Sequence, residues 1–129
     1  MANSYMKDNY KLDDLYSLFK GKNILVFDLE TTGLPKASTA LRKDNFDCYK
    51  KNKLFNSSRI IQVGWSYTEN WNGKFNSKNV NAIYRKCKHI KRIDNTFIHG
   101  ITLSTVNKEG MLLSKIINKS GFGYALKNT

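Results

Sequence analysis

Asn23-Ile-Leu-Val-Phe-Asp28-Leu-Glu30, followed at once by Thr31-Thr-Gly-Leu-Pro35, is the stretch on which the fold turns. Its apolar residues fall on both parities of a two-residue repeat, the pattern of a strand buried on both faces, so the spacing predicts a central strand of a sheet. Gly33 and Pro35, the only proline of the chain, break that strand as turn residues. Side chains two apart on a strand share a face, so Asp28 and Glu30 present paired carboxylates where the apolar run ends. Strand ends of this kind commonly hold the active site of α/β sheets.

Working outward, residues 11–20 place Leu12, Leu15, Tyr16 and Phe19 at spacings of three and four before Gly21, which predicts a short amphipathic helix with a glycine stop. From Lys36 to Ser58 the sequence is polar and lysine-rich without a period, and is expected to form a long insertion loop. Arg59-Ile-Ile-Gln-Val-Gly-Trp-Ser-Tyr67 supplies a second strand, Glu69–Lys78 a hairpin connection and Asn79–Arg85 a weaker third strand. Thr102 or Ser104 is placed to cap a helical turn, and Leu112, Leu113, Ile116 and Ile117 mark a longer helix that Gly121 and Gly123 interrupt. The expectation is an α/β unit with an N-terminal helical extension at 1–21 and a main body at 22–129.

With 129 residues the chain fits one domain. No apolar run approaches the ~20 residues of a membrane span, and no secretory leader is visible, so an intracellular setting is expected. Cys48 and Cys87 form no cluster, which argues against a zinc site or a disulfide framework. Twenty-two Lys and Arg against ten Asp and Glu give a net charge of +12, which favours phosphate-bearing partners and nucleic acid first among them. The abundance of Lys and Asn is also what an AT-rich coding sequence produces whatever the function.

Two hard oxygen ligands at Asp28 and Glu30 suit Mg²⁺ or Mn²⁺, which bind through a few carboxylates, waters and phosphate oxygens. Two such ions ~3.5–4 Å apart serve in-line displacement at phosphorus, so the chemistry implied is phosphodiester hydrolysis. The plainer alternative is an acidic pair that merely opens a solvated loop. Asp28 and Thr32 also fit the Asp-x-Asp-x-Thr pattern of haloacid-dehalogenase-like phosphatases, but Glu30 stands in the place of the second Asp and Gly33-Leu-Pro35 is foreign to it.

Ile24-Leu-Val-Phe-Asp28-Leu-Glu30-Thr-Thr-Gly-Leu-Pro35 resembles the first motif of the DEDD 3′-to-5′ exonucleases. Arg59-Ile-Ile-Gln-Val-Gly-Trp65 is similar to that family's second strand, and His99-Gly-Ile-Thr102 to the tetrapeptide ahead of its first main helix. The resemblance spans roughly residues 22–119 and implies a ribonuclease H-like fold, here incomplete, with a three-stranded antiparallel meander plus helix, in which the strand bearing Asp28 and Glu30 is expected to keep one unpaired edge. It implies that Asp28 and Glu30 are catalytic and ligate two Mg²⁺ or Mn²⁺ ions, and that Thr31, Thr32, Gly33 and Leu34 receive the 3′-terminal nucleotide of DNA or RNA. The family's second motif, His-Asn then Phe-Asp, and its third, a His and an Asp, do not occur. The resemblance therefore implies a front portion, truncated and impaired as an enzyme, or else a non-catalytic basic remnant that binds nucleic acid. His99 is expected to orient its loop, and His89 to lie on a solvated basic face with a phosphate contact as the alternative. Trp65 and Trp71 are expected to pack in core or loop.

Overall fold

The computed structural model describes residues 12–35, 52–76 and 78–129. In chain order these form α1 (Leu12–Phe19), β1 (Ile24–Thr31), a 3-10 turn (Asn52–Phe55), β2 (Ile60–Thr68), β3 (Asn81–Lys86), α2 (Thr96–His99), α3 (Leu103–Glu109), β4 (Met111–Leu112), α4 (Leu113–Lys119) and α5 (Gly121–Asn128). Most of the expected insertion loop, and Cys48 within it, lies outside the described residues. None of the described helices is long and apolar enough to cross a membrane.

The sheet order is β1-β2-β3-β4, with the first two pairings antiparallel and β3–β4 parallel. The antiparallel meander is present, extended by a two-residue fourth strand that the sequence did not announce. The central position that the apolar run predicts for β1 is corrected, whereas the unpaired edge expected of it is present: β2 is central, and among the described residues β1 has β2 as its only neighbour. An apolar run on both parities reports side chains that prefer burial, not the number of strands hydrogen-bonded beside them. Val26 and Phe27 are about half exposed, at 54% and 52%.

Pairing runs in register from Ile24 opposite Thr68 to Glu30 opposite Gln62, then shifts so that Thr31 faces Ile60 and Ile61 is skipped. This is a β-bulge at the acidic end of β1. Directly opposed residues share a face. Leu25 and Phe27 therefore stand with Tyr67 and Trp65, and α4 and α5 cover that face through a core of Val63, Trp65, Ile116 and Phe122. The Phe122 ring meets Trp65 at 5.6 Å and Phe27 at 5.9 Å. A second core joins the skipped Ile61 to Cys87, Ile90, Ile101 and Val106, with Tyr84 packed against it. Tyr84 opposes Gln62, so this cluster lies toward β3 on the face that carries Glu30.

The expected long helix is two helices. Leu112 belongs to β4, and Ser120, whose hydroxyl accepts from Gly123 N–H, caps a new start at α5. Gly123 is required there for packing: a Cβ would stand 1.9 Å from the Ile117 carbonyl. At the other end of the chain Gly21, at φ 77°, ends α1 in the left-handed conformation that glycine adopts freely. Its N–H donates to Trp71 O at 2.9 Å, and Trp71 N–H returns to Lys22 O at 3.0 Å, tying α1 to the β2–β3 connection. Tyr16, Trp71 and Phe75 stack over that junction.

Candidate active site at the end of β1

Asp28 and Glu30 stand opposite Gly64 and Gln62, on the face of β1 that α4 and α5 do not cover. Asp28 is exposed and Glu30 half-buried. Gly64 has no side chain, and even a Cβ added there would meet only the Asp28 and Asn81 carbonyls, at 4.0 and 3.8 Å. Space is therefore open beside the Asp28 carboxylate.

As hard oxygen donors side by side, the two carboxylates match the donor set that a hydrated Mg²⁺ or Mn²⁺ takes from a protein. Among the described residues no group of three or more His, Cys, Asp or Glu side chains is arranged to hold a metal. Among the described residues the two carboxylates therefore stand without a third ligating side chain beside them.

The turn after the carboxylates is fixed by Thr32, the one buried polar side chain among the described residues at 6% exposure. Its hydroxyl accepts from Arg59 N–H at 2.9 Å and donates to Ser57 O at 3.1 Å. Its own N–H donates to Arg59 O at 2.9 Å, and its carbonyl accepts from Asp94 N–H at 3.2 Å. Removing such a hydroxyl would leave a buried donor unpaired, at a cost of ~1–3 kcal/mol. Thr31 Oγ1 donates to Gly33 O at 3.0 Å, and Ser57 Oγ to Leu34 O at 2.9 Å. Leu34 itself projects into solvent, 80% exposed. Thr32 is therefore a brace that locks the turn to residues 57–59 and 94, while Thr31, Gly33 and Leu34 form its open part.

His99 does not join the carboxylates. Its Nδ1 accepts from Ile101 N–H at 3.0 Å, which leaves Nε2 to donate to Asn95 Oδ1 at 3.1 Å. It braces the loop ahead of α3, which Thr102 caps by accepting Thr105 N–H. Trp65 is core and Trp71 loop packing, as the sequence suggested.

Two clefts flank the turn. One, of about 400 Å³, is lined by Thr32, Asn56, Ser57, Arg59, the segment His89–Arg92 and Asp94. The other, of about 450 Å³, is lined by Leu29, Thr31, Phe55, Arg59, Arg85 and neighbours. Arg59, shared by both, donates from Nη2 to Asn56 Oδ1 at 2.7 Å. Arg85 reaches Ile60 O at 3.4 Å, and its buried Nε has no hydrogen-bond partner among the described residues. Sequence reasoning passed over both arginines. The available signal was their position, one opening the strand opposite the acidic turn and one closing the next strand over.

Comparison with known proteins adds no relative: no family model, no curated protein and no solved structure matches the chain.

Proposed function

We propose that this chain carries part of the active site of a two-metal 3′-to-5′ exonuclease on a ribonuclease H-like fold. The observation that carries the reading is the position of Asp28 and Glu30 together on the face of β1 opposite the one packed by α4 and α5, immediately before a turn clamped by Thr32. In this reading Asp28 and Glu30 hold Mg²⁺ or Mn²⁺ with their carboxylates. When bound, the metal supplies the charge stabilisation and water activation of phosphodiester hydrolysis. The turn does the positioning. Backbone groups of Thr31 and Gly33 face the terminal sugar, exposed Leu34 lies against the base, and Thr32 keeps the turn from moving. Rejection of DNA or of RNA would rest on contacts to the 2′-OH.

A second reading, a basic nucleic-acid binder without catalysis, is favoured by one specific observation: no third metal-ligating side chain accompanies the pair among the described residues. Digestion of a 3′-labelled strand with Mn²⁺ separates the two, because an exonuclease releases the label and a binder retains it. For the 129-residue chain we expect salt-dependent binding with little label release. In a domain that contains this stretch with a complete ligand set, Asp28→Ala or Glu30→Ala is expected to lower turnover on the order of 100-fold or more, since even outer partners of metal ligands are worth 10–100-fold. Affinity for the strand should hardly change. Undiminished turnover in either variant sinks the metal assignment.

A further inference from the structure

The polar cleft beside Thr32 lies on no part of the carboxylate pair, yet it begins only two residues past Glu30, within ~7 Å along the backbone. It brings together chain segments far apart in sequence: Arg59 from the start of β2, and His89, Lys91 and Arg92 from the connection after β3. Three basic side chains, Arg59, Lys91 and Arg92, line it against one carboxylate, Asp94. Asp94 is engaged with Arg92 Nε at 2.5 Å, in a pair whose side chains are 82% and 59% exposed. An ion pair so exposed is worth little and gives way readily to another anion. Backbone bonds hold the cleft in shape, with Thr32 O receiving Asp94 N–H and Cys87 O receiving Ile90 N–H while Ile90 packs in the core.

We propose that this cleft is a binding site for an internal phosphodiester of a single nucleic-acid strand, with Arg59, Lys91 and Arg92 as its phosphate contacts. The inference rests on the exonuclease reading for its orientation: the strand's terminal nucleotide sits at Thr31–Leu34 and the chain of phosphates leaves through the basic cleft. Arginine forks match phosphate oxygens in geometry as well as charge. The cleft is open and polar, as a passage for a continuing strand requires and an enclosed mononucleotide pocket does not.

The test is fluorescence anisotropy of a 5′-labelled 12-nucleotide single strand with the full chain in EDTA, where no hydrolysis contributes. Lys91→Gln/Arg92→Gln is compared with a control of equal charge, Lys115→Gln/Lys119→Gln on α4. The cleft pair is expected to weaken binding about tenfold and to reduce the slope of log affinity against log salt by ~1.4, two contacts at ~0.7 each. The control pair should change affinity less than about twofold, and Asp94→Asn, which frees Arg92, should tighten binding about twofold. Equal losses in the two pairs, or weakening in Asp94→Asn, overturns the site. Inorganic phosphate displacing the strand at equal phosphate concentration would show a lone-anion pocket instead, and overturns the strand path. Because the assay needs no metal, its failure is distinct from failure of label release, which tests the exonuclease reading itself.

Discussion

β1 and β2 look alike as sequences, each an apolar run with polar residues set into it, and they fare differently in the fold. β2 has a neighbour on each side and buries side chains on both faces, with Val63 and Trp65 at 2% and 7% exposure on one and Ile61, beyond the bulge, at 0% on the other. β1 has one neighbour among the described residues, and its middle four residues, Val26 to Leu29, are all exposed. Its unused backbone groups and half-open Val26 and Phe27 lie beside the same carboxylates that make the candidate site. The difference teaches that β1 is held in place by β2 rather than by its own burial. The strand carrying the candidate carboxylates is the less anchored of the two.

The largest effect expected from this contrast is in stability. Trp65 fills the core between Val63, Ile116 and Phe122, so Trp65→Ala should cost ~3–5 kcal/mol by transfer and cavity terms together. Val26→Ala, at a position 54% exposed, should stay within ~0.5 kcal/mol. Urea denaturation of the two variants measures both. Comparable losses would mean that the outer edge of β1 is covered and that the contrast fails.

A smaller and more conditional effect is association. An exposed strand edge with apolar side chains is a template for pairing with another chain. Repulsion from the net charge of +12 opposes it until salt screens that charge. Sedimentation should therefore show self-association that grows with protein and salt concentration, and Val26→Lys should shift the chain toward monomer. A monomer at every salt concentration, unfolding in one cooperative step, removes the open edge from the account.

Much of the site was legible because it is local. The strand, its i, i+2 carboxylates, the Gly33 and Pro35 break, the Thr102 cap and the loop-bracing His99 each depend on residues within a few positions of one another. What escaped depends on distant segments. The edge position of β1 is a matter of which strands pair: it was reached only through the family resemblance, while the apolar pattern within Asn23–Glu30 pointed to the centre of the sheet. The basic cleft is assembled from segments far apart in sequence that Thr32 links by hydrogen bonds to residues 57, 59 and 94. The third strand starts at Asn81 rather than at the expected Asn79, whose side chain instead donates to Tyr67 O at 2.9 Å while Val80 turns outward. β4 owes its two residues to pairing with Arg85 and Lys86, which local periodicity does not reveal.

The finest test concerns the start of β1, where it is tied together with β2. Asn23, just before β1, and Tyr67, near the end of β2, both donate to the Asn128 carbonyl of α5, at 2.8 and 3.3 Å. Beside them Tyr124 donates its phenol to Glu69 at 2.9 Å, and the two tyrosine rings meet edge-on at 5.9 Å. The hydrogen bond to Glu69, then the charge of Glu69, raises the Tyr124 pKa above its ordinary 10.0; partial burial, then Glu69, raises that of Tyr67. A phenol with a raised folded pKa favours the folded state while it stays neutral. That contribution is complete below the unfolded value near 10.0 and is lost as pH rises through the higher folded value. Ultraviolet phenolate titration should thus show two tyrosines ionising late, and Glu69→Gln should bring Tyr124 back toward its ordinary value with little change in melting at neutral pH. If both tyrosines ionise at the ordinary value in the unaltered chain, the clamp is absent, and β1 is as loosely held at its start as along its exposed middle.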